Sequence, residues 1–241
     1  MKLTSQDTFE LRKTLAAAAR AGLDDLVIHE GLVRGLNPSQ SAAVFSPITL
    51  SIESDVSLGI KRLGDLSKRL ELFGDDILIE GELNDAKKVR RLSIRGKAGK
   101  IEFRCTDSKL IVYPKTNSDT PAIVATLTKP EITLLNKGIK TLGCEDMVLQ
   151  VKRDGTVRIE AVDTSNDRFE MDMSTPAQFV EDPVPFVHKY DTGSKGVLLD
   201  LLTQMSKDKD TVDLTIMQSG NIALTVLGTE VLAIPRITTG G

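Results

Sequence analysis

The stretch "ELFGDDILIEGEL", residues 71–83, decides the fold. A run with helical apolar spacing stops at Gly74. Two aspartates follow, and an alternating, strand-like run begins. The same phrase recurs as "AGLDDLVIHEG" (21–31), "LGCEDMVLQVK" (142–152) and "KDKDTVDLTIM" (207–217). Upstream of each copy lies an amphipathic run. The first covers about 8–21, with Leu11, Leu15 and Ala18 on one face. The second covers about 59–73, with Ile60, Leu63, Leu66, Leu70 and Phe73. The third covers about 129–142, with Ile132, Leu135, Ile139 and Leu142. The fourth covers about 194–207, with Leu198, Leu201, Leu202 and Met205. Asp7 to Glu10 and Thr128 to Glu131 read as capping boxes, in which two helix-end donors are satisfied reciprocally. Pro130 falls in a first turn, where its missing N–H costs nothing.

Downstream, each strand meets a turn and at least one more strand. Asp154-Gly155 is a strong two-residue hairpin signal. Ser219-Gly220, Asn84-Asp85 and Gly31 mark the corresponding turns. The chain therefore reads as helix, turn, strand, hairpin, strand, four times. The first strand residues, Leu26, Ile77, Met147 and Val212, are 51, 70 and 65 residues apart, which excludes a solenoid of tight period. Two similar domains of two units each fit better: 1–112 and 123–241, joined by the polar connector "YPKTNSDTPA" (113–122). Alternation in "VRIEAV" and "DLTIMQ" predicts antiparallel sheet with one polar face. The amphipathic helices must cover the other face, so the expected class is α+β.

Composition narrows the function. Of 241 residues 40% are hydrophobic but only 4% aromatic, with no Trp, so the core must be aliphatic. Cys105 and Cys144 lack CxxC spacing, which predicts two small buried side chains in a reduced, intracellular protein. No signal-peptide core and no 18-residue apolar run occur. The expectation is a soluble, cytoplasmic or nuclear protein without a membrane segment. His29 and His188 have no ligand pattern around them. Phosphate-binding glycine loops and a nucleophile elbow are absent. The acid pairs Asp24-Asp25 and Asp75-Asp76 could suggest a two-metal nuclease, but their repeated place between helix and strand points to turn chemistry. No enzyme activity, cofactor or metal is expected.

The net charge is −3, yet its distribution is uneven. Arg12, Lys13, Arg20, Lys61, Arg62, Lys68, Arg69, Lys129, Lys137, Lys140, Lys195 and Lys207 lie in the helical segments. Those segments carry a surplus of seven positive charges, leaving the rest of the chain at minus ten. Solubilising charge accounts for any single helix. The same sign on four helices of an acidic protein favours a surface facing a polyanion, with nucleic-acid phosphate the obvious candidate. No aromatic platform for stacked bases accompanies these charges, and no helix has a base-reading pattern. The contact would be to the backbone, without sequence preference. The cluster "KKVRR" (87–91) either extends that path or is a solvated loop.

Two domains of two helix-then-strand units, basic helices and an acidic remainder resemble the sliding DNA clamps, above all the two-domain clamps typified by proliferating cell nuclear antigen. Three stretches carry the resemblance: "GLVRGLNPSQSAAVF" (31–45), "SLGIKRLGDLSKRLELFGDDILIEGEL" (57–83) and "TEVLAIPRI" (229–237), the last similar to the family's terminal Leu-Ala-Pro-Lys-Ile-like segment. Val231 and Leu232 stand where the family has aromatics. The resemblance implies the DNA clamp fold and a homotrimeric ring around double-stranded DNA. The ring would close head to tail through strand edges, here "KIEFRCT" (100–106) and "DRFEMDM" (167–173). It implies a non-enzymatic processivity factor that tethers the replicative DNA polymerase, takes other clamp-binding peptides and is opened by a clamp loader. Arg12, Lys13, Arg20, Lys61, Arg62, Lys68, Arg69, Lys137, Lys140, Lys195 and Lys207 would meet DNA. The apolar pocket for partner peptides would use Leu36, Pro38, Val44, Ile123, Leu232, Ile234 and Pro235. The alternative is a non-ring, monomeric or heteromeric (checkpoint-type) DNA-binding processivity subunit.

Overall fold

The computed structural model describes residues 1–74, 77–115, 119–193 and 196–236. Asp75 and Asp76, Lys195, Ile237 and part of the connector lie outside the described residues. The chain divides into two compact units: Met1–Pro38, Ala43–Asn117 and Leu227–Val231 in the first, and Ser39–Ala42, Ser118–Val226 and Leu232–Gly241 in the second.

The first unit holds β1 (Lys2–Leu3), α1 (Ser5–Arg20), β2 (Asp25–His29), β3 (Leu32–Leu36), β4 (Ala42–Pro47), β5 (Leu58–Lys61), α2 (Leu63–Leu72), β6 (Leu78–Leu83), β7 (Val89–Gly96) and β8 (Gly99–Arg104). Its strands form an antiparallel layer in the order β1-β6-β7-β8 and a run in the order β4-β3-β2-β5. The second unit holds β9 (Pro121–Thr128), α3 (Lys129–Leu142), β10 (Asp146–Val151), β11 (Val157–Val162), β12 (Arg168–Asp172), β13 (Gln178–Phe179), β14 (Phe186–Asp191), α4 (Leu198–Asp208), β15 (Thr211–Met217) and β16 (Ile222–Val226). Its strands run in the orders β12-β11-β10-β14 and β13-β9-β15-β16. Strand β17 (Thr229–Ala233) is divided between the units after Val231, and β4 after its first residue, Ala42. The architecture is α+β, as expected.

Each helix buries one aliphatic stripe: Leu11, Leu15 and Ala18 on α1; Leu63, Leu66 and Leu70 on α2; Ile132, Leu135 and Ile139 on α3; Leu198, Leu201 and Leu202 on α4. A buried Leu or Ile contributes about 1.5–3 kcal/mol over an exposed one. These stripes therefore hold the helices against the strands without any Trp. Large aromatics add two fully buried rings, Phe103 and Tyr190.

The first helix of each unit is capped in the same way. Thr4 Oγ1 accepts the Asp7 N–H at 3.1 Å, and Asp7 Oδ2 accepts the Thr4 N–H at 2.7 Å. Thr128 and Glu131 repeat the exchange at 3.4 and 2.7 Å. Each carboxylate also reaches across its unit: Asp7 Oδ1 accepts the Ser51 N–H at 2.8 Å, and Glu131 Oε1 accepts the Ser174 N–H at 2.6 Å. Burial alone would raise both carboxyls. The backbone donors outweigh it and hold both below the usual range.

Three expected boundaries differ. The box at α1 is Thr4–Asp7, not Asp7–Glu10, because Thr4 offers a hydroxyl cap one turn earlier. The expected 59–73 helix loses its start to β5, where Ile60 faces Leu26 of β2. A Cβ at Gly59 would run into Thr106 O, so this strand passes where only glycine fits. The backbone then turns at Arg62, φ 60°, and α2 begins at Leu63. Helix α4 starts at Leu198, four residues later than expected, and its N-cap, Val197, has no side-chain oxygen. Helix α3 occupies the expected 129–142. Strands β8 and β12 each end a four-stranded sheet, with one edge unpaired among the described residues.

Candidate nucleic-acid interface

With these bounds the four helices carry nine basic and seven acidic residues, a surplus of two. The larger surplus read from the sequence included Lys61 and Arg62, which precede α2, and Lys195. It omitted Asp7 and Asp208, which lie inside α1 and α4. Two of the seven acids, Asp7 and Glu131, face backbone N–H groups at the helix starts, so the solvent face is more basic than the surplus of two.

The cations do not form one class. Arg12 lies half-buried, and its guanidinium donates to Leu70 O at 2.6 Å and to Gly74 O. It closes the carbonyl end of α2, where free C=O groups attract a cation. This makes Arg12 a structural contact between α1 and α2. Arg62 and Arg69 lie over the buried Phe103 ring at 5.6 and 5.2 Å, and Arg69 also donates to Glu102 O at 3.2 Å. Their charge stays at the surface while their stems cover an aromatic core residue. Lys13 lies 5.3 Å from the Phe9 ring and 3.6 Å from Glu10. Lys61 sits opposite Asp25 across the β2–β5 ladder. Burial raises the Asp25 carboxyl and Lys61 opposes that shift.

Arg20 and Lys68 in the first unit, and Lys137, Lys140 and Lys207 in the second, are exposed and carry no ion pair among the described residues. An ammonium or guanidinium so placed can displace counterions from a phosphate chain without a prior bond to break.

Of the junction acids, Asp75 and Asp76 lie outside the described residues. Asp24 O accepts the Leu63 N–H at 3.0 Å, and Asp25 is already part of β2. No group of three or more His, Cys, Asp or Glu suited to a metal occurs among the described residues. Cys144 is buried. Cys105 is half-buried, and burial pushes its thiol up to about 12. No described helix is long and apolar enough to cross a membrane.

The expected partner-pocket residues divide by burial. Val44, Ile123 and Leu232 are core side chains, with 0%, 2% and 5% exposure. Leu36, Ile234 and Pro235 are half-buried and Pro38 is exposed. In the second unit residues 234–236, the last described, are held by polar contacts that hydropathy does not reveal. The Ile234 N–H donates to Ser41 O at 2.9 Å and the Arg236 N–H to Lys189 O at 2.7 Å. The Arg236 guanidinium bonds Asp146 and lies 3.4 Å from Asp191. The segment "AIPRI" reads as an apolar docking strand, but its arginine is an anchor to β10 and β14.

No protein-family model matches this chain, and no curated protein matches it. Among solved structures it resembles the proliferating cellular nuclear antigen of Entamoeba histolytica, with TM-score 0.63, 14% identity and 98% of both chains covered. It resembles PCNA of A. fulgidus, solved with the C-terminal region of FEN-1, with TM-score 0.62, 16% identity and coverage of 99% of this chain and 98% of that one. The PCNA2–PCNA3 complex of Sulfolobus tokodaii gives TM-score 0.60 and 15% identity over 98% of both chains. At such identities the likeness establishes the fold, and it spans nearly the whole chain: this protein has the two-domain fold of the sliding DNA clamps.

Proposed function

We propose that this chain is a sliding clamp. Copies close head to tail into a homotrimeric ring around duplex DNA, and the ring tethers a DNA polymerase near the primer end. Tethering raises the local polymerase concentration without a tight DNA contact. The observation that carries this reading is the end-to-end likeness to clamp structures. The unpaired edges of β8 and β12 support it, because a heterologous contact between them, repeated around a ring, leaves neither of these two edges open. Arg20, Lys61, Lys68, Lys137, Lys140 and Lys207 face the phosphates in this reading, with Lys13, Arg62 and Arg69 contributing charge from the surface. Lys195 lies outside the described residues.

Polymerase and other clamp-binding peptides dock on the surface carrying Ile234 and Pro235; Leu36, Pro38, Val44, Ile123 and Leu232 are the further candidates. A clamp loader supplies opening. The neighbour built from two different chains favours a second reading, in which the ring needs a non-identical partner.

Two measurements test the proposal. The mass of the purified chain in solution should be three times 26.2 kDa. After loading, it should stay on closed circular DNA and leave when the circle is cut. A mass of one chain with equal retention on cut and closed DNA would overturn the ring. A monomer that closes only with a different clamp chain would establish the second reading. Ile234→Asp should abolish polymerase-peptide binding with the mass unchanged, and undiminished peptide affinity would remove that docking assignment.

A further inference from the structure

The second unit contains a cavity of 410 Å³ walled by Ile123, Phe179, Val184, Phe186 and Met217 and bordered by Glu181 and Asp182. Of the partner-pocket residues expected from sequence, only Ile123 takes part. Three further observations bear on what it holds. First, its rim is one-signed. Glu181 and Asp182 have no ion pair among the described residues, and the lining contains no Lys or Arg. His188, whose ring lies tilted at 36° against Phe186 with centroids 4.4 Å apart, is kept toward its neutral form by burial. Second, the apolar lip is open to solvent, with Val184 65% and Val187 57% exposed.

Third, the cavity adjoins an unpaired main-chain edge. Strand β13 ends its sheet and, among the described residues, pairs only with β9. The Val180 N–H bonds Ala122 O at 2.9 Å, so Gln178 and Val180 address β9. By the alternation of an antiparallel ladder, the Phe179 N–H and C=O point away from β9. Pro183 and Pro185 stiffen the loop that follows.

We propose that this cavity binds a short extended peptide carrying a bulky apolar side chain next to a lysine or arginine. The apolar side chain enters between Phe179, Val184 and Met217. The cation meets Glu181 and Asp182, and the peptide backbone adds to the outer edge of β13. Two unpaired carboxylates beside an apolar cleft select a basic peptide over an acidic one through charge complementarity. The site goes beyond the clamp reading and does not depend on it.

A phage-displayed library of random 12-residue peptides, selected on the immobilised full-length chain, supplies the probe. Synthetic copies of the enriched peptides are then titrated by fluorescence anisotropy against three proteins: the natural chain, Val184→Asp, and the double variant Glu181→Lys with Asp182→Lys. The altered side chains are exposed, so the fold should persist, and circular dichroism melts check it. The expected result is enrichment of apolar-plus-basic sequences. Val184→Asp should weaken binding about tenfold or more, in the range of removing an interface anchor. The charge reversal should weaken it by a margin that shrinks with added salt.

The proposal is overturned if no peptide is enriched, if acidic or purely apolar peptides are enriched, or if the enriched peptides bind all three proteins equally. It is also overturned, in favour of a second copy as occupant, if the mass rises with concentration and Val184→Asp alone abolishes the rise. None of these outcomes alters the ring test, which reads mass and retention on closed DNA.

Discussion

Asp7 and Arg12 lie on one helix, and both of their charges are directed to backbone groups. Asp7 faces N–H groups of Thr4 and Ser51, and Arg12 faces carbonyls at the end of α2. Removing either charge leaves half-buried partners short of a bond. Asp7→Asn should lower unfolding free energy by about 1–3 kcal/mol, measured by urea titration at neutral pH. The pH dependence has a definite sign. The folded-state carboxyl lies below its ordinary value of 3.8, so its stabilisation is full above that value and is lost as pH falls through the lower, folded value. The gap between the natural protein and Asp7→Asn should therefore narrow as the pH falls below 3.8. A gap that stays constant would mean that the carboxylate contributes nothing as a charge. Arg12→Ala should cost about 1–3 kcal/mol in the same titration and leave the salt dependence of DNA retention unchanged. A lower salt slope would return Arg12 to the DNA-contacting set.

At the scale of elements, local rules succeed where the signal is local. Helix α3 follows its expected bounds because Thr128, Pro130 and Glu131 define one end and Gly143, in a left-handed conformation at φ 66°, the other. The turn at Gly155 follows from the Asp-Gly pair. Helix α2 fails because Ile60 and Leu63 fall at helical spacing by coincidence. What makes residues 58–61 a strand is pairing with β2, thirty or more positions away in sequence. The candidate interface divides along the same line. That Lys68 and Lys137 stand on helices with their charge exposed was legible from spacing. That Arg12 closes α2, that Arg62 and Arg69 cover Phe103, and that Arg236 bonds β10 and β14 depend on tertiary neighbours no local window contains. The free cations carry the element-scale prediction. Replacing Lys68, Lys137, Lys140 and Lys207 together by Gln should reduce the slope of log affinity against log salt. The reduction should be up to about 0.9 for each phosphate left without its cation. An unchanged slope would detach the helices from DNA.

For the whole molecule, the open edges of β8 and β12 limit how copies can meet. The Cys105 N–H bonds Arg90 O and the Met173 N–H bonds Val157 O, so the even-numbered residues of both strands address the open edge. These are Lys100, Glu102 and Arg104 on one edge, and Arg168, Glu170 and Asp172 on the other. In an antiparallel junction one register opposes Lys100 to Glu170 and Glu102 to Arg168. Neighbouring registers oppose like charges, which is unfavourable across strands. Glu102→Arg alone, or Arg168→Glu alone, should shift the solution mass toward the single chain. The double variant should restore it. Restoration failing while both singles dissociate would exclude this register, and singles that keep the full mass would exclude the edge.

The carboxylates that cap α1 and α3 have one more consequence. Ser51 and Ser174 lie in bends outside any strand, yet each N–H is bonded by a side chain of a helix far away in sequence. Amide hydrogen exchange at these two positions should therefore be slowed by the helices. Each serine is a built-in clock, one per half of the chain, that starts only when its helix lets go.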